Sequence, residues 1–156
     1  MNNSSINQLL QDLKNEEETI RNQATQELWQ RWFMQKGTYG WQLLQKTQKL
    51  LEKGNVSQAE EALTLLISDL PDFAEAWNRR AVLYYTIGEY PKSIKDCKKV
   101  LELVPFHFGA LHGLGLCYAG LGQYREAIQA FRKTLEIQPH SLINQRLILE
   151  CTARLT

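Results

Sequence analysis

A 34-residue period runs through the middle of the chain and constrains its fold more than any other feature of the sequence. Two sets of punctuating residues recur at this spacing: Gly54, Gly88, Gly122 and Pro71, Pro105, Pro139. Four columns of mostly apolar or small residues keep the same step: Leu43, Trp77, Leu111; Leu50, Tyr84, Tyr118; Ala59, Ser93, Ala127; and Leu63, Cys97, Phe131. Six matched columns without insertion or gap indicate three tandem structural repeats between Gly40 and Ser141.

The middle block shows how each period divides into two helices. Apolar residues at helical spacing predict a first helix over about residues 74–87. Gly88 is expected to end it, because glycine reaches positive φ without steric cost. Pro91 is expected to open the second helix, where its missing N–H is not needed. In the first block, Ser57 and Glu60 predict a capping box at the start of the second helix.

The order of these columns resembles the tetratricopeptide-repeat family, whose helix pairs carry the pattern W…G…Y…G-x-Y…A…F…P. The resemblance covers residues 40–141 and implies an all-α fold, in which three helix-turn-helix repeats stack into a right-handed superhelix. The three predicted repeats are residues 40–73, 74–107 and 108–141. More narrowly, Ala74–Ala81 and His107–Gly115 resemble segments of small bacterial proteins of this family.

The C-terminal residues are expected to cover the apolar face of the last repeat. Ser141 is a suitable N-cap for a final helix over about Leu142–Arg154. This helix carries more apolar residues than a solvent-exposed helix would: Leu142, Ile143, Leu147, Leu149 and Leu155. We therefore predict that residues 142–156 form a C-terminal capping helix that lies on the third repeat.

The first 39 residues do not match the repeat, and their position in the fold is open to two interpretations. Ile20, Ala24, Leu28 and Trp32 recur every four residues and predict a helix from about Glu16 to Lys36. Our main expectation is that residues 1–39 form an N-terminal helical cap. The alternative is that three aromatic side chains fold back into the binding groove as a mobile plug: Trp29, Trp32 and Phe33.

The family resemblance also implies where a partner would bind, since the concave face of such a superhelix is lined mainly by the first helix of each repeat. The residues matching that face are Trp41, Leu44 and Gln48; Asn78, Arg79, Val82 and Tyr85; and His112 and Leu116. An apolar groove with a few polar anchors suits an extended peptide or an amphipathic helix. Arg79 is expected to hold a partner carboxylate, because its guanidinium can bind both oxygens.

Some family members clamp the C-terminal carboxylate of chaperone tails with Lys, Asn and Arg side chains on these first helices. The matching positions here hold Leu44, Gln48, Arg79, Gly109 and Gly113. Only Arg79 has the required chemistry, so chaperone-tail binding of that kind is not expected. Arg80 stands where the family pattern has an apolar residue, and we expect its stem to pack while its head reaches solvent or a neighbouring carboxylate.

Charge and composition exclude several classes of partner. The formal net charge is +1, from 18 basic and 17 acidic side chains, which is too small to drive non-specific nucleic-acid binding. The lysines between residues 92 and 99 are interpreted as a solvated helix face. No apolar run reaches the roughly 20 residues that span a bilayer, so no direct membrane insertion is expected. With no secretory signal and three cysteines lacking metal-ligand spacing, a cytoplasmic location is expected.

No converging set of titratable groups suggests catalysis, and neither a cofactor nor a metal is expected. His107 and His140 are expected at helix starts or turns, whereas His112 is expected either to pack or to contact a partner. The predicted function is a non-catalytic protein-interaction module, an adaptor or assembly factor that binds a client peptide or helix. The alternative is a self-associating scaffold, a homodimer through the terminal helices at Leu147 and Leu149 or at Trp29 and Phe33.

Overall fold

The computed structural model describes residues 4–156, which form nine α-helices and no strand. The helices are α1 Ile6–Asp12, α2 Glu18–Phe33, α3 Gly37–Glu52, α4 Val56–Asp69, α5 Ala74–Thr86, α6 Tyr90–Leu103, α7 Phe108–Gly120, α8 Tyr124–Ile137 and α9 Leu142–Arg154. From α3 onwards each helix packs on its successor, so α3 to α9 form one continuous stack. The predicted all-α superhelix is confirmed.

The turn inside each helix pair depends on glycine, as predicted. Gly54, Gly88 and Gly122 have φ values of 78°, 79° and 75°, which other residues rarely adopt. The residue after each glycine donates its N–H to a carbonyl five residues back, for example Glu89 N to Tyr84 O at 2.8 Å. This is the Schellman arrangement, and it satisfies carbonyls that the end of the first helix leaves free.

Two of the predicted helix caps have different outcomes. The prediction of a capping box at Ser57 and Glu60 is wrong, because α4 begins at Val56 and its N-cap, Asn55, makes no side-chain cap hydrogen bond. The glycine turn brings the chain into helical geometry at once, so Ser57 lies inside the first turn. The cap on α9 is confirmed: Ser141 precedes Leu142 and its hydroxyl accepts from the backbone N–H of Asn144.

The N-terminal helices share a buried cluster with the loop between the second and third repeats. In this cluster Leu9 and Leu13 of the α1 region pack with Leu28 and Trp32 of α2 and with Phe108 at the start of α7. The half-buried side chains around the cluster include Val104, Phe106 and Ile137. α2 therefore packs on the start of the third repeat through Trp32 and on the first repeat through Phe33.

α9 packs on α8 through one face only. Cys151, Leu147 and Ile148 join the cluster formed by Ala127 and Phe131 of α8. The prediction that α9 lies on the third repeat is confirmed by these contacts. Four of the apolar residues that motivated that prediction are nevertheless exposed: Leu142, Ile143, Leu149 and Leu155.

A candidate binding groove beside the N-terminal helix

The position of α2 depends on a glycine of the third repeat. A Cβ atom at Gly109 would lie 2.6 Å from Cη2 of Trp29, closer than any real contact, so only glycine admits the indole at this distance. The same indole meets the rings of His107 and Phe108 edge-on, with centroids 5.3 and 5.5 Å apart. The absence of a side chain at Gly109 therefore lets Trp29 of α2 pack directly on α7, the first helix of the third repeat.

At the far end of α2, polar side chains attach the chain to the loop before α5. Lys36 Nζ lies 2.7 Å from Asp72 Oδ2, and Gln35 donates to the Asp72 carbonyl at 3.0 Å. The hydrogen bond from Lys36 is the main reason that the pKa of Asp72 is lowered. α2 thus spans from the third repeat to the loop that joins the first repeat to the second.

His107 is fully buried beneath Trp32 and its hydrogen bonds define its tautomer. Its Nδ1 accepts from the backbone N–H of Ala110 at 3.0 Å, which makes it the N-cap of α7. Because Nδ1 accepts, the proton is on Nε2, which donates to Oε2 of Glu75 at 3.3 Å. The predicted helix-start role of His107 is confirmed, and it also links α7 to α5.

Glu75 is a buried carboxylate that organises the polar floor of the site. Its Oε1 accepts from Asn78 Nδ2 at 3.2 Å and from Arg79 Nε at 3.3 Å. A carboxylate removed from water needs such partners, since an unpaired buried charge is strongly destabilising. Arg79 also donates to Gln48 on α3 at 3.3 Å, and its guanidinium lies 5.1 Å from the ring centroid of Phe33 on α2.

Between α2 and the first helices of two repeats lies an open groove of about 850 Å³. Its apolar lining consists of Trp29, Phe33, Met34, Trp41, Leu51 and Val82. Its polar lining consists of Thr25, Gln26, Gln30, Gln48, Glu75, Asn78 and Arg79. Because the only charged pair, Glu75 with Arg79, is neutralised internally, the groove presents mainly apolar and amide groups.

Known proteins resemble this chain in both sequence and fold. The family model described as Tetratricopeptide repeat matches residues 72–140. A TPR repeat-containing protein of Rhizobium etli is 43% identical over 72 residues, which are 46% of this chain and 35% of that relative. Residues 72–140 therefore match the tetratricopeptide-repeat (TPR) family. The chain spans about a third of the length of this curated relative.

Solved TPR structures show the same fold at low identity. The first TPR of Spaghetti (RPAP3), bound to the HSP90 peptide SRMEEVD, has a TM-score of 0.70 at 19% identity. The match covers 72% of this chain and 90% of that chain. MamA has a TM-score of 0.68 at 24% identity, with 72% of this chain and 62% of that chain covered. The pairs α3–α4, α5–α6 and α7–α8 are hereafter TPR 1, TPR 2 and TPR 3.

The structure brings together five of the nine residues expected on the concave face. Trp41 and Gln48 of TPR 1 line the groove with Asn78, Arg79 and Val82 of TPR 2. Leu51 was not among the expected residues, and neither were the polar side chains of α2 that line the groove. Trp29 and Phe33 were placed at the groove only by the alternative interpretation of the N-terminal segment, as a mobile plug, whereas in the structure they form part of its wall.

The other four expected residues lie elsewhere. Leu44 is 0% exposed and packs with Phe73 in the core of TPR 1, so its expected place on the binding face is wrong. Tyr85 is partly exposed but lies outside the groove, beside Tyr90. Two residues of TPR 3 face the C-terminal end: Leu116 packs in the α8–α9 cluster, and His112 donates from Nδ1 to Asn144 Oδ1 at 2.8 Å.

Arg80 forms the ion pair that its position in the repeat suggested. Its Nε and Nη2 donate to the two oxygens of Asp96 at 2.7 and 2.9 Å, and this pairing raises the pKa of the guanidinium. The head also lies 5.2 Å from the ring centroid of Trp77. The expectation that Arg80 reaches a neighbouring carboxylate is confirmed, and the pair joins the two helices of TPR 2.

Across residues 4–156, no cluster of three or more His, Cys, Asp or Glu side chains could hold a metal ion. In the same range, none of the helices combines the length and the apolar character that a membrane crossing requires. All three cysteines are free and buried, and burial raises the pKa of Cys97 to about 12.

Proposed function

We propose that this TPR protein is a non-catalytic interaction module, an adaptor or assembly factor, whose client binds in the groove between α2 and the first helices of TPR 1 and TPR 2. One observation carries the proposal. Large apolar side chains remain open to solvent there, with Val82 54% exposed and Met34 40% exposed, although the aromatic residues beside them are packed. Contiguous exposed apolar surface of this kind marks interaction sites.

The chemistry of the groove selects an apolar client segment. Since Glu75 already engages Arg79, a client carboxylate would have to compete with an internal ion pair. Burial of apolar surface, at about 25 cal/mol per Å², is then the main source of affinity. An amphipathic helix with large apolar residues on one face fits a groove walled by three helices. Gln48 is exposed, and its amide N–H group can donate to the backbone ends or polar side chains of the client, whereas Asn78 is buried and already donates to Glu75.

The solved neighbours support a peptide as the class of client, because the first TPR of Spaghetti is bound to an HSP90 peptide and the second TPR domain of human RPAP3 to an HSP70 peptide. The binding chemistry proposed here differs from a clamp for an acidic tail. Leu44 is buried, and Trp29 covers Gly109. The groove includes α2 as one wall, so client binding requires the N-terminal helix in place.

The test is affinity capture from the native lysate with three immobilised forms of the full chain. Val82→Glu places a charge in the apolar groove, whereas Leu65→Glu places the same charge on an exposed site of α4 outside the groove. The wild type and Leu65→Glu should retain the same client, and Val82→Glu should lose it at unchanged helicity. Equal capture by all three forms would show that the groove is not the binding site.

A synthetic peptide then defines the client more closely. The segment identified by crosslinking in the captured protein should quench or shift the fluorescence of Trp29 and Trp41, since both indoles line the groove. Trp41→Ala should weaken its binding, whereas Tyr85→Ala, outside the groove, should leave it unchanged. Tight binding by an acidic C-terminal peptide without apolar residues would contradict the proposed chemistry.

A further inference from the structure

α9 occupies the place of a first helix in a fourth repeat. α5, α7 and α9 begin 34 residues apart, at Ala74, Phe108 and Leu142. Ala74 is 0% exposed and packs with Val100 of the following helix α6, whereas Leu142 is 77% exposed. Each earlier first helix is followed by a second helix that packs on it. Within the described residues α9 has no such partner, so the same positions lie open.

The open face of α9 is an apolar stripe. Leu149 is 71% exposed, whereas Ala81, two periods earlier in the same column, is 1% exposed against α6. Leu142 and Leu149 are seven residues apart, so they lie on one side of the helix. Asn144 and Cys151 lie on the opposite, buried side. The side chains that a second helix would cover are therefore solvent-exposed leucines.

We propose that a second copy of this chain covers this face, with the two α9 helices packed antiparallel about a two-fold axis. The charges beside the stripe are self-complementary in that arrangement. Arg146 and Glu150 are 65% and 61% exposed and flank Leu149 on the same side. An antiparallel crossing centred near residue 148 brings Arg146 of each copy beside Glu150 of the other. Isologous contacts of this kind close a dimer.

The intrahelical pair of Arg146 and Glu150 is exposed and weak, so contacts with the second copy can replace it. Arg146 Nε lies 3.5 Å from Glu150 Oε1, with the base N-terminal to the acid, which is the less favourable order within a helix. The other terminal surfaces considered for self-association are already used. Leu147 packs on α8, and Trp29 and Phe33 pack against each other and against the repeats.

The expected dimer is weak and concentration-dependent. Two single helices bury less surface than the roughly 1,200–2,000 Å² of a standard stable interface. Sedimentation velocity of the full chain from micromolar to millimolar concentration should show the 18.1 kDa species converting to twice that mass. A chain that stays monomeric over this whole range would overturn the proposal.

Substitutions on α9 then test the face itself. Leu149→Glu should weaken association by about tenfold or more, because it sets two like charges against each other. Leu65→Glu, an equally exposed site on α4, should associate like the wild type. If Leu149→Glu and the wild type associated equally, the contact between the copies would not lie on α9, and the proposal would be overturned. Val82→Glu, in the client groove, should also dimerise normally, which separates this proposal from the proposed function.

Charge swaps test the antiparallel register. In the antiparallel arrangement Arg146→Glu places a second acid beside Glu150 of the other copy, and Glu150→Arg places a second base beside its Arg146. Each variant alone should therefore associate less than the wild type. An equimolar mixture of the two variants restores both attractive pairs, and so does the double variant Arg146→Glu/Glu150→Arg in one chain. Failure of the mixture to recover association, while each single variant has lost it, would overturn the antiparallel pairing.

Discussion

The indole of Trp32 stacks on the imidazole of His107, with ring centroids 4.0 Å apart and 19° between the ring planes. These residues are 75 positions apart in sequence, and their contact joins the N-terminal helix to the N-cap of α7. His107 in turn donates to the buried Glu75 on α5. One stacked pair therefore couples the wall of the groove to its polar floor.

Replacing Trp32 with alanine should destabilise the protein by about 3–5 kcal/mol, the usual cost of truncating a buried tryptophan. Trp32 is buried in the cluster that holds α1 and α2 on the repeats. Urea unfolding of Trp32→Ala beside Trp41→Ala, a half-buried tryptophan in the groove, measures the difference. Amide exchange should also accelerate in α2 while the second helices of the repeats stay protected. A cost under about 1 kcal/mol would show that Trp32 does not anchor α2.

Gly109→Ala should destabilise the protein by about 1–3 kcal/mol, because the added methyl overlaps the indole of Trp29. In a Trp29→Ala background the cost should shrink, because the remaining close contact of the added methyl is with Cε1 of His107 at 3.1 Å. Gly113→Ala is the matched control, because its nearest contact would be Cys97 Sγ at an ordinary 3.6 Å. Denaturant unfolding of Gly109→Ala, Trp29→Ala, the double variant and Gly113→Ala, each compared with the wild type, measures these differences in unfolding free energy. Additive effects of the first two substitutions would contradict the contact.

The repeats could be predicted from the sequence because their structure is local. A glycine at each turn and an apolar column on each helix specify a helix pair, so the expected helix over residues 74–87 is found at Ala74–Thr86. The place of α2 could not be predicted, since its apolar positions show which face is buried but not what covers it. Trp29 meets Gly109 across 80 residues, and no period of the sequence links them.

The candidate site was predictable where it depends on the repeat and unpredictable elsewhere. Val82 and Arg79 line the groove because their position on a first helix places them there. Leu44 is one repeat before Asn78, which lines the groove, but contacts with Phe73 bury Leu44. Arg79 was expected to be free to hold a partner carboxylate, but it is paired with Glu75, a buried carboxylate that also bonds to His107 at the N-cap of α7. Burial and pairing of this kind arise from tertiary packing.

Arg80→Met should destabilise the protein by about 3–5 kcal/mol, because it leaves the buried carboxylate of Asp96 without its charged partner. The double variant Arg80→Met/Asp96→Leu should cost much less, since an apolar pair needs no compensating charge. Urea unfolding of both variants at neutral pH measures the two values. If the single and double variants were equally unstable, packing of the Arg80 stem would account for the effect, and the ion pair would not.

Tyr84 should make the stability of TPR 2 depend on pH in the alkaline range. Burial, helped by the hydrogen bond from its hydroxyl to Glu60 at 2.8 Å, raises the pKa of Tyr84 from 10.0 to about 12. Between these values the unfolded chain releases the phenolic proton while the folded chain keeps it, so stability falls as pH rises from 10 through 12. Below pH 10 the contribution of the neutral phenol is fully present.

The difference in unfolding free energy between the wild type and Tyr84→Phe should therefore be constant up to pH 10 and shrink above it. A difference that stays level up to pH 12 would show that the phenol ionises alike in both states.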